Sequence, residues 1–326
     1  MATIPATLPV RTAHPGGFFY SAMQFAKPAL SIHEHLDLLR SRGLAIPDLE
    51  RAAHFLKFIG YYRLSGYALP LTFKNHPAHP SHNFKPGSSF DDILNLYLFD
   101  RELRLLVMDA VERIEVAFRT CLSNYMSQKA GAHWYMSPKH FVNQKCHDQL
   151  AKKIIERTGV AESSGPGTSQ GKEVFLQHYF GKYTNPKLPP SWMIVEVLPI
   201  STLSIAYENL ALREDRKQIS MEFGLNPEVL ESWMHAVSYV RNLCAHHSRL
   251  WNREFTIRPL IAKEIKRLLE NNSRFFAQAV VINHLLKKAS PQTKWWERFC
   301  KLVSDHPFID PVALGAPAGW QPAVNS

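Results

Sequence analysis

The sequence is poor in cysteine and holds no long apolar run. Its four cysteines, Cys121, Cys146, Cys244 and Cys300, lie far apart in 326 residues and form no C-x-x-C pair. That spacing argues against a disulfide scaffold or a zinc ribbon and makes a reducing, cytoplasmic setting the expectation. The most apolar internal stretch, residues 192–207, is interrupted by Glu196 and Pro199 and is too short to cross a bilayer, so no membrane span is expected. Residues 1–30 lack the basic end and continuous apolar run of an export signal and contain Pro5, Pro9, Pro15, Gly16 and Gly17, so they read as an irregular extension. No glycine-rich phosphate loop, G-x-S-x-G elbow or H-E-x-x-H helix occurs, which leaves nucleotide hydrolysis, serine esterase and zinc protease chemistry without support. The period-two alternation of a half-buried strand is missing too, and the chain reads as all-α.

What is abundant is positive charge. Lysine and arginine total 38 against 28 aspartate and glutamate, a net +10, which makes a polyanion such as nucleic acid the natural partner. With 45% hydrophobic and 20% charged residues the chain can also bury a core. Residues 31–87 read as an N-terminal segment: helices over 32–40 and 48–59, a tyrosine-rich stretch from Gly60 to Tyr67, and a loop rich in proline and histidine. Residues 88–258 read as the core. Its clearest helix starts at Ser89, with Asp91 and Asp92 in the first turn and Leu96, Phe99, Leu103, Leu106, Ala110, Ile114, Ala117 and Cys121 at three- and four-residue steps. The pairs Asp100/Arg104, Asp109/Arg113 and Glu115/Arg119 have acid-before-base i,i+4 spacing, and the expectation is a solvated, ion-paired face. Residues 158–172, dense in glycine and serine, read as a mobile loop. A helical region follows Pro190 up to about 212, and another helix starts at Asn226 with Pro227 in its first position. Residues 259–306 read as C-terminal helices, over 261–269, 274–286 and 295–303, and 307–326 as an irregular tail.

The helix from Asn226 carries the chemistry. At 100° per residue Leu230, Trp233, Met234, Val237, Val240 and Cys244 cluster on one face. Glu231, His235, Ser238, Asn242, His246 and Arg249 fall on another, with Arg241 at the border. Asn242 and His246 are i,i+4 neighbours, and the Arg241 side chain starts one turn earlier, so a guanidinium, an amide and an imidazole converge. Such a group suits cleavage of RNA through its own 2′-hydroxyl, because the substrate brings the nucleophile. His246 moves a proton, Arg241 holds phosphate oxygens in a forked contact, Asn242 orients either, and neither metal nor other cofactor is required. The bare Arg-x-x-x-x-His spacing is weak, with about one chance match expected in a chain of this composition. Arginine, asparagine and histidine at a helix end can equally satisfy backbone carbonyls. In that case the protein is a non-catalytic RNA- or protein-binding module.

Tyr61, Tyr62 and Arg63, with Tyr67 close by, combine stacking rings with a cation, as a platform for single-stranded RNA does, although packing of a helix end explains them as well. His247, Arg249 and Arg253 are further candidate RNA contacts. His76, His79 and His82 sit three apart but have no acid or cysteine nearby to complete a zinc site, and they read as a surface loop.

The hexapeptide Arg241-Asn242-Leu243-Cys244-Ala245-His246 resembles the RNxxxH motif of HEPN-domain ribonucleases, and its surroundings resemble the Abi_2 (AbiD/AbiF-like) abortive-infection proteins of bacteria. The stretches Phe58 to Tyr67, Leu96 to Arg104, Leu188 to Met193 and Ala245 to Arg253 resemble that family as well, so the likeness covers about residues 30 to 260. It implies a HEPN-like helical bundle with additional N- and C-terminal helices, a role in phage defence, and metal-independent RNA cleavage with Arg241 and His246 as the catalytic pair. Stoichiometry adds an expectation. Transesterification wants one group to take the 2′-proton and another to protonate the leaving 5′-oxygen, while each chain supplies one such histidine. A homodimer that pairs two copies of this helix end meets the need. DNA, lacking the 2′-hydroxyl, should not be cut.

Overall fold

The computed structural model describes residues 26–73, 81–160 and 173–322, with Glu264 and Glu270 excepted. Among them thirteen α-helices form and no strand, only three isolated bridges. They are α1 (Ile32–Ser41), α2 (Leu49–Ile59), α3 (Tyr61–Ala68), α4 (Phe90–Ala130), α5 (Gln144–Thr158), α6 (Val174–Lys182), α7 (Ser191–Val197), α8 (Ile200–Glu208), α9 (Arg213–Glu222), α10 (Pro227–Ala245), α11 (Phe275–Ala289), α12 (Trp295–Ser304) and α13 (Pro311–Leu314). No helix of the described residues is long and apolar enough to cross a membrane.

Ser89 and Asp92 start the element on which the others rest. The Asp92 carboxylate accepts from the Ser89 amide at 2.7 Å and the Ser89 hydroxyl from the Asp92 amide at 3.2 Å, a reciprocal cap that satisfies two orphan donors. From there α4 runs for 41 residues, roughly 60 Å at 1.5 Å per residue. Helices α3, α7, α9, α10, α11 and α12 all pack on it. The regular apolar steps put Phe99, Leu103, Val107, Ala110, Ile114, Phe118 and Leu122 in the interior without exposed surface. On α10 the inferred inner face is realised: Leu230, Trp233, Met234, Val237, Val240 and Cys244 are all buried.

Several expectations change. Asp100, Arg104 and Glu115 are buried, so two of the three acid–base pairs on α4 are interior ion pairs; only Asp109/Arg113 is partly solvated. Asp100 follows Leu96 by four residues and Arg104 precedes Val107 by three, which places both on the stripe that faces other helices. Ser238, assigned to the polar side of α10, is buried. Residues 190–212 form two helices, since Pro199 has no amide to continue α7 and starts α8 instead. The expected helix over 261–269 is irregular apart from a 3₁₀ turn at Lys266–Leu268. Its start is committed to α10: the Leu260 amide donates to Ser232 Oγ and its carbonyl accepts from Trp233 Nε1, both at 2.9 Å. Residues 1–25 and most of the glycine/serine stretch, 161–172, lie outside the described residues, as do His76 and His79.

The described part of the C-terminal tail, residues 307–322, contributes to the core. Asp310 caps α13, Ile309 and Leu314 are buried, and the Trp320 ring meets Phe276 and Phe299 at 5.1 and 6.2 Å between centroids. Beside it Trp295 of α12 stacks on Phe299 and donates from Nε1 to the Leu106 carbonyl of α4 at 2.7 Å. Trp295→Phe keeps a six-membered aromatic ring but removes the donor together with the rest of the buried indole. We expect it to lower unfolding free energy by roughly 1–3 kcal/mol, read from urea titrations. An unchanged midpoint would mean that this bond contributes nothing.

Candidate active site

The last turn of α10 and the residues just after it form the site. Arg241 and Asn242 lie in that turn, and His246 is the residue at which the helix stops. The stop is a six-residue closure: the Ser248 amide reaches the Leu243 carbonyl at 2.8 Å and the His247 amide the Cys244 carbonyl at 2.9 Å. This closure needs a left-handed residue, and the position usually given to glycine is taken by His247, with φ 55°. Arg249 therefore lies past the helix, off the polar stripe on which the sequence places it.

His246 is exposed, Asn242 is exposed and Arg241 is half-buried. Arg241 Nη1 donates to Asn242 Oδ1 at 3.4 Å, and Arg241 Nε is buried without a partner among the described residues. The Asn242 carbonyl accepts from the His246 amide at 3.0 Å. No side-chain hydrogen bond joins His246 to Arg241 or Asn242 among the described residues, so the imidazole is held by backbone alone. Cys244 between them is buried, and burial pushes its thiol up to about 12; it is no nucleophile at neutral pH.

An open cleft of about 450 Å³ lies against this turn. Tyr62, Arg63, His246, His247, Arg249 and Arg253 border it, and among the described residues no carboxylate does. Two segments far apart in sequence, the tyrosine-rich stretch and the Arg/His motif, thus share one wall, Arg63 and His247 being 184 residues apart; Arg241 and Asn242 lie outside that lining. The shared wall is made by cross-element bonds. Arg63 Nη1 donates to the His247 carbonyl at 2.6 Å, and Arg249 Nη1 donates to the Gly66 carbonyl. Burial pulls the Arg249 guanidinium below its usual value. Arg253 reaches the Tyr239 hydroxyl at 3.5 Å. Tyr62 stands 92% exposed. Tyr61 is turned elsewhere: its ring stacks on His35 at 4.2 Å, and its hydroxyl accepts from Arg42 at 3.3 Å.

The residue that fixes this arrangement is Asp100 of α4, which has no exposed surface. Its carboxylate accepts from the Tyr67 hydroxyl at 2.6 Å, from the Trp251 amide at 2.7 Å, from the Leu250 amide at 3.1 Å and from the Arg104 guanidinium. All four partners are donors, the set an ionised carboxylate requires. Burial pushes the Asp100 carboxyl above the ordinary carboxylate range against the pull of Arg104. Burial would lower Arg104, yet the Asp100 charge beside it holds it above the usual guanidinium value. Burial, with the Asp100 charge next, pushes the Tyr67 phenol up as well. α3, α4 and the segment after His246 are thereby locked at one point. From sequence Tyr67 reads as a candidate stacking ring, whereas it is buried and bonded to Asp100; Asp100, Arg104 and Gly66 are not singled out as functional residues from sequence. The available signal was the position of Asp100 and Arg104 on the inward stripe of α4.

Among the described residues no group of three or more histidine, cysteine, aspartate or glutamate side chains is placed to hold a metal ion. What remains is a helical protein whose basic cleft, with no carboxylate among the described residues that line it, sets an exposed histidine at a helix end. Residues 54–252 match the Abi_2 family, Abi-like protein, over more than half of the chain, and the protein belongs to that family. No curated protein and no solved structure matches it.

Proposed function

We propose that the protein is a metal-independent endoribonuclease of the HEPN type that acts as an effector of abortive infection, the defence in which an infected bacterium limits phage spread. Membership of the Abi-like family supports the biological role. The observation that carries the chemistry is the exposed His246 in a cleft bordered by Arg63, Arg249 and Arg253, with no carboxylate among the described lining residues and with Arg241 and Asn242 within one turn of it. In this reading the 2′-oxygen attacks the adjacent phosphorus as its proton passes to one imidazole. The bond to the 5′-oxygen breaks as a second imidazole supplies a proton, leaving a 2′,3′-cyclic phosphate and a 5′-hydroxyl. Arg241 neutralises the charge gathering on the phosphoryl oxygens, and Asn242, already bonded to it, keeps it oriented. The second imidazole is His246 of a twofold-related copy, which makes the working form a cytoplasmic homodimer with α10 at its interface. RNA is the substrate; DNA is not cut.

A second reading has its own support. Arg63 and Arg249 both spend donors on backbone carbonyls, as residues of a purely structural helix end do. On that reading the cleft binds RNA or protein without cutting. The test is pure protein incubated with mixed RNA in EDTA. Cleavage that persists and leaves cyclic phosphate ends is expected, whereas binding without any cleavage would select the second reading.

A further inference from the structure

A second cavity, about 500 Å³, shares Tyr62 and Gly66 of α3 with the cleft and runs in among α1, α2, α3 and the start of α4. Its size lies in the roughly 300–1,000 Å³ range of small-molecule sites. Leu39, Leu56 and Phe84 give it an apolar floor, while Lys27, Arg42 and His82 stand around it and no carboxylate among the described residues lines it. Among the described residues Arg42 makes one side-chain hydrogen bond, to the Tyr61 hydroxyl at 3.3 Å, and Lys27 and His82 make none. The exposed Tyr62 ring stands where the two cavities meet. Apolar walls that accept a flat ring, an aromatic side chain to stack on it and unopposed cations for an anion together describe a nucleotide.

We propose that this cavity holds one nucleotide unit, its base among Leu39, Leu56 and Tyr62 and its phosphate toward Arg42 and Lys27. Because the cavity adjoins the cleft, the expected source is the nucleotide next to the scissile one in the RNA, and on this point the proposal rests on the ribonuclease reading. The site then selects which base is read beside the cut.

The experiment uses the full chain carrying His246→Ala, so that binding is measured without cleavage. Calorimetry with a single-stranded RNA octamer and, separately, with each 5′-mononucleotide is repeated in Lys27→Glu and Arg42→Leu. Lys145→Glu, the same charge change at an exposed residue outside the cavity, serves as control. We expect octamer affinity to fall tenfold or more in both cavity variants, the scale of a lost charge-assisted contact, and to change little in the control. Loss of mononucleotide binding with octamer binding intact would assign the site to a free nucleotide instead. If Arg42→Leu melts early, Lys27→Glu decides, since Lys27 lies in an exposed irregular segment. Unchanged binding of both probes in Lys27→Glu, or an equal fall in the control, would overturn the proposal. Wild-type cleavage is scored in parallel. Cavity-dependent binding without cleavage would count against the ribonuclease reading alone.

Discussion

Alanine at Arg241 or at His246 is expected to lower RNA cleavage by about a hundredfold or more while the melting temperature stays where it is. His246 is exposed and makes no side-chain hydrogen bond among the described residues, so its loss removes no buried side chain and no such bond. Arg241 is half-buried and its Nε has no partner there, so truncation takes away an unsatisfied donor along with the charge. Residues that cost nothing to the fold yet abolish turnover are what a reacting pair requires. Full activity in both variants would transfer the site to the binding-module reading. The same variant examines the twofold arrangement: His246→Ala chains mixed in excess with wild type should poison activity through mixed dimers, and a fully active monomer indifferent to that excess would exclude the shared site.

Asp100→Ala should have the larger effect on stability, with about 3–5 kcal/mol lost. The substitution leaves the Arg104 charge buried and orphans the Leu250 and Trp251 amides and the Tyr67 hydroxyl together. Asp100→Asn keeps an acceptor but no charge, and should fall between alanine and wild type. Asp100 is a positioning residue for the cleft, because the amides it holds lie four and five residues after His246. Cleavage should therefore fall in Asp100→Asn even at temperatures where the variant is fully folded by circular dichroism. A folded variant with wild-type cleavage would confine Asp100 to stability.

Much of this was legible in the residues. Three- and four-residue apolar steps located α4 and the inner face of α10, and Pro227 fixed the start of α10. Spacing placed Arg241, Asn242 and His246 within one turn, but not that His246 lines the cleft while Arg241 and Asn242, bonded to each other, lie outside its lining; the Abi_2 likeness was readable from short stretches on either side. What spacing could not show was which polar residues sit inside. An i,i+4 acid–base pair has the same pattern on a wet face and in a core, and Asp100/Arg104 differs from Asp109/Arg113 only in what packs over it. Tertiary contact also decided the C-terminal region. Leu260 gives its backbone bonds to α10 and not to a helix of its own, and Trp320 is held by Phe276 and Phe299 from helices upstream. The meeting of Tyr62 and Arg63 with His246 belongs to the same class of fact, since nothing local joins residues so far apart in the chain.

In the proposed reaction the substrate's own 2′-hydroxyl is the nucleophile, with Arg241 and His246 acting on it. The direct measurement maps one cleavage site in a defined RNA and then replaces the ribose on its 5′ side by 2′-deoxyribose, with EDTA present throughout. Cutting is predicted to vanish at that bond while other sites in the same molecule are still cut and still end in cyclic phosphate. Undiminished cutting at the deoxy bond would rule out the 2′-hydroxyl as the nucleophile.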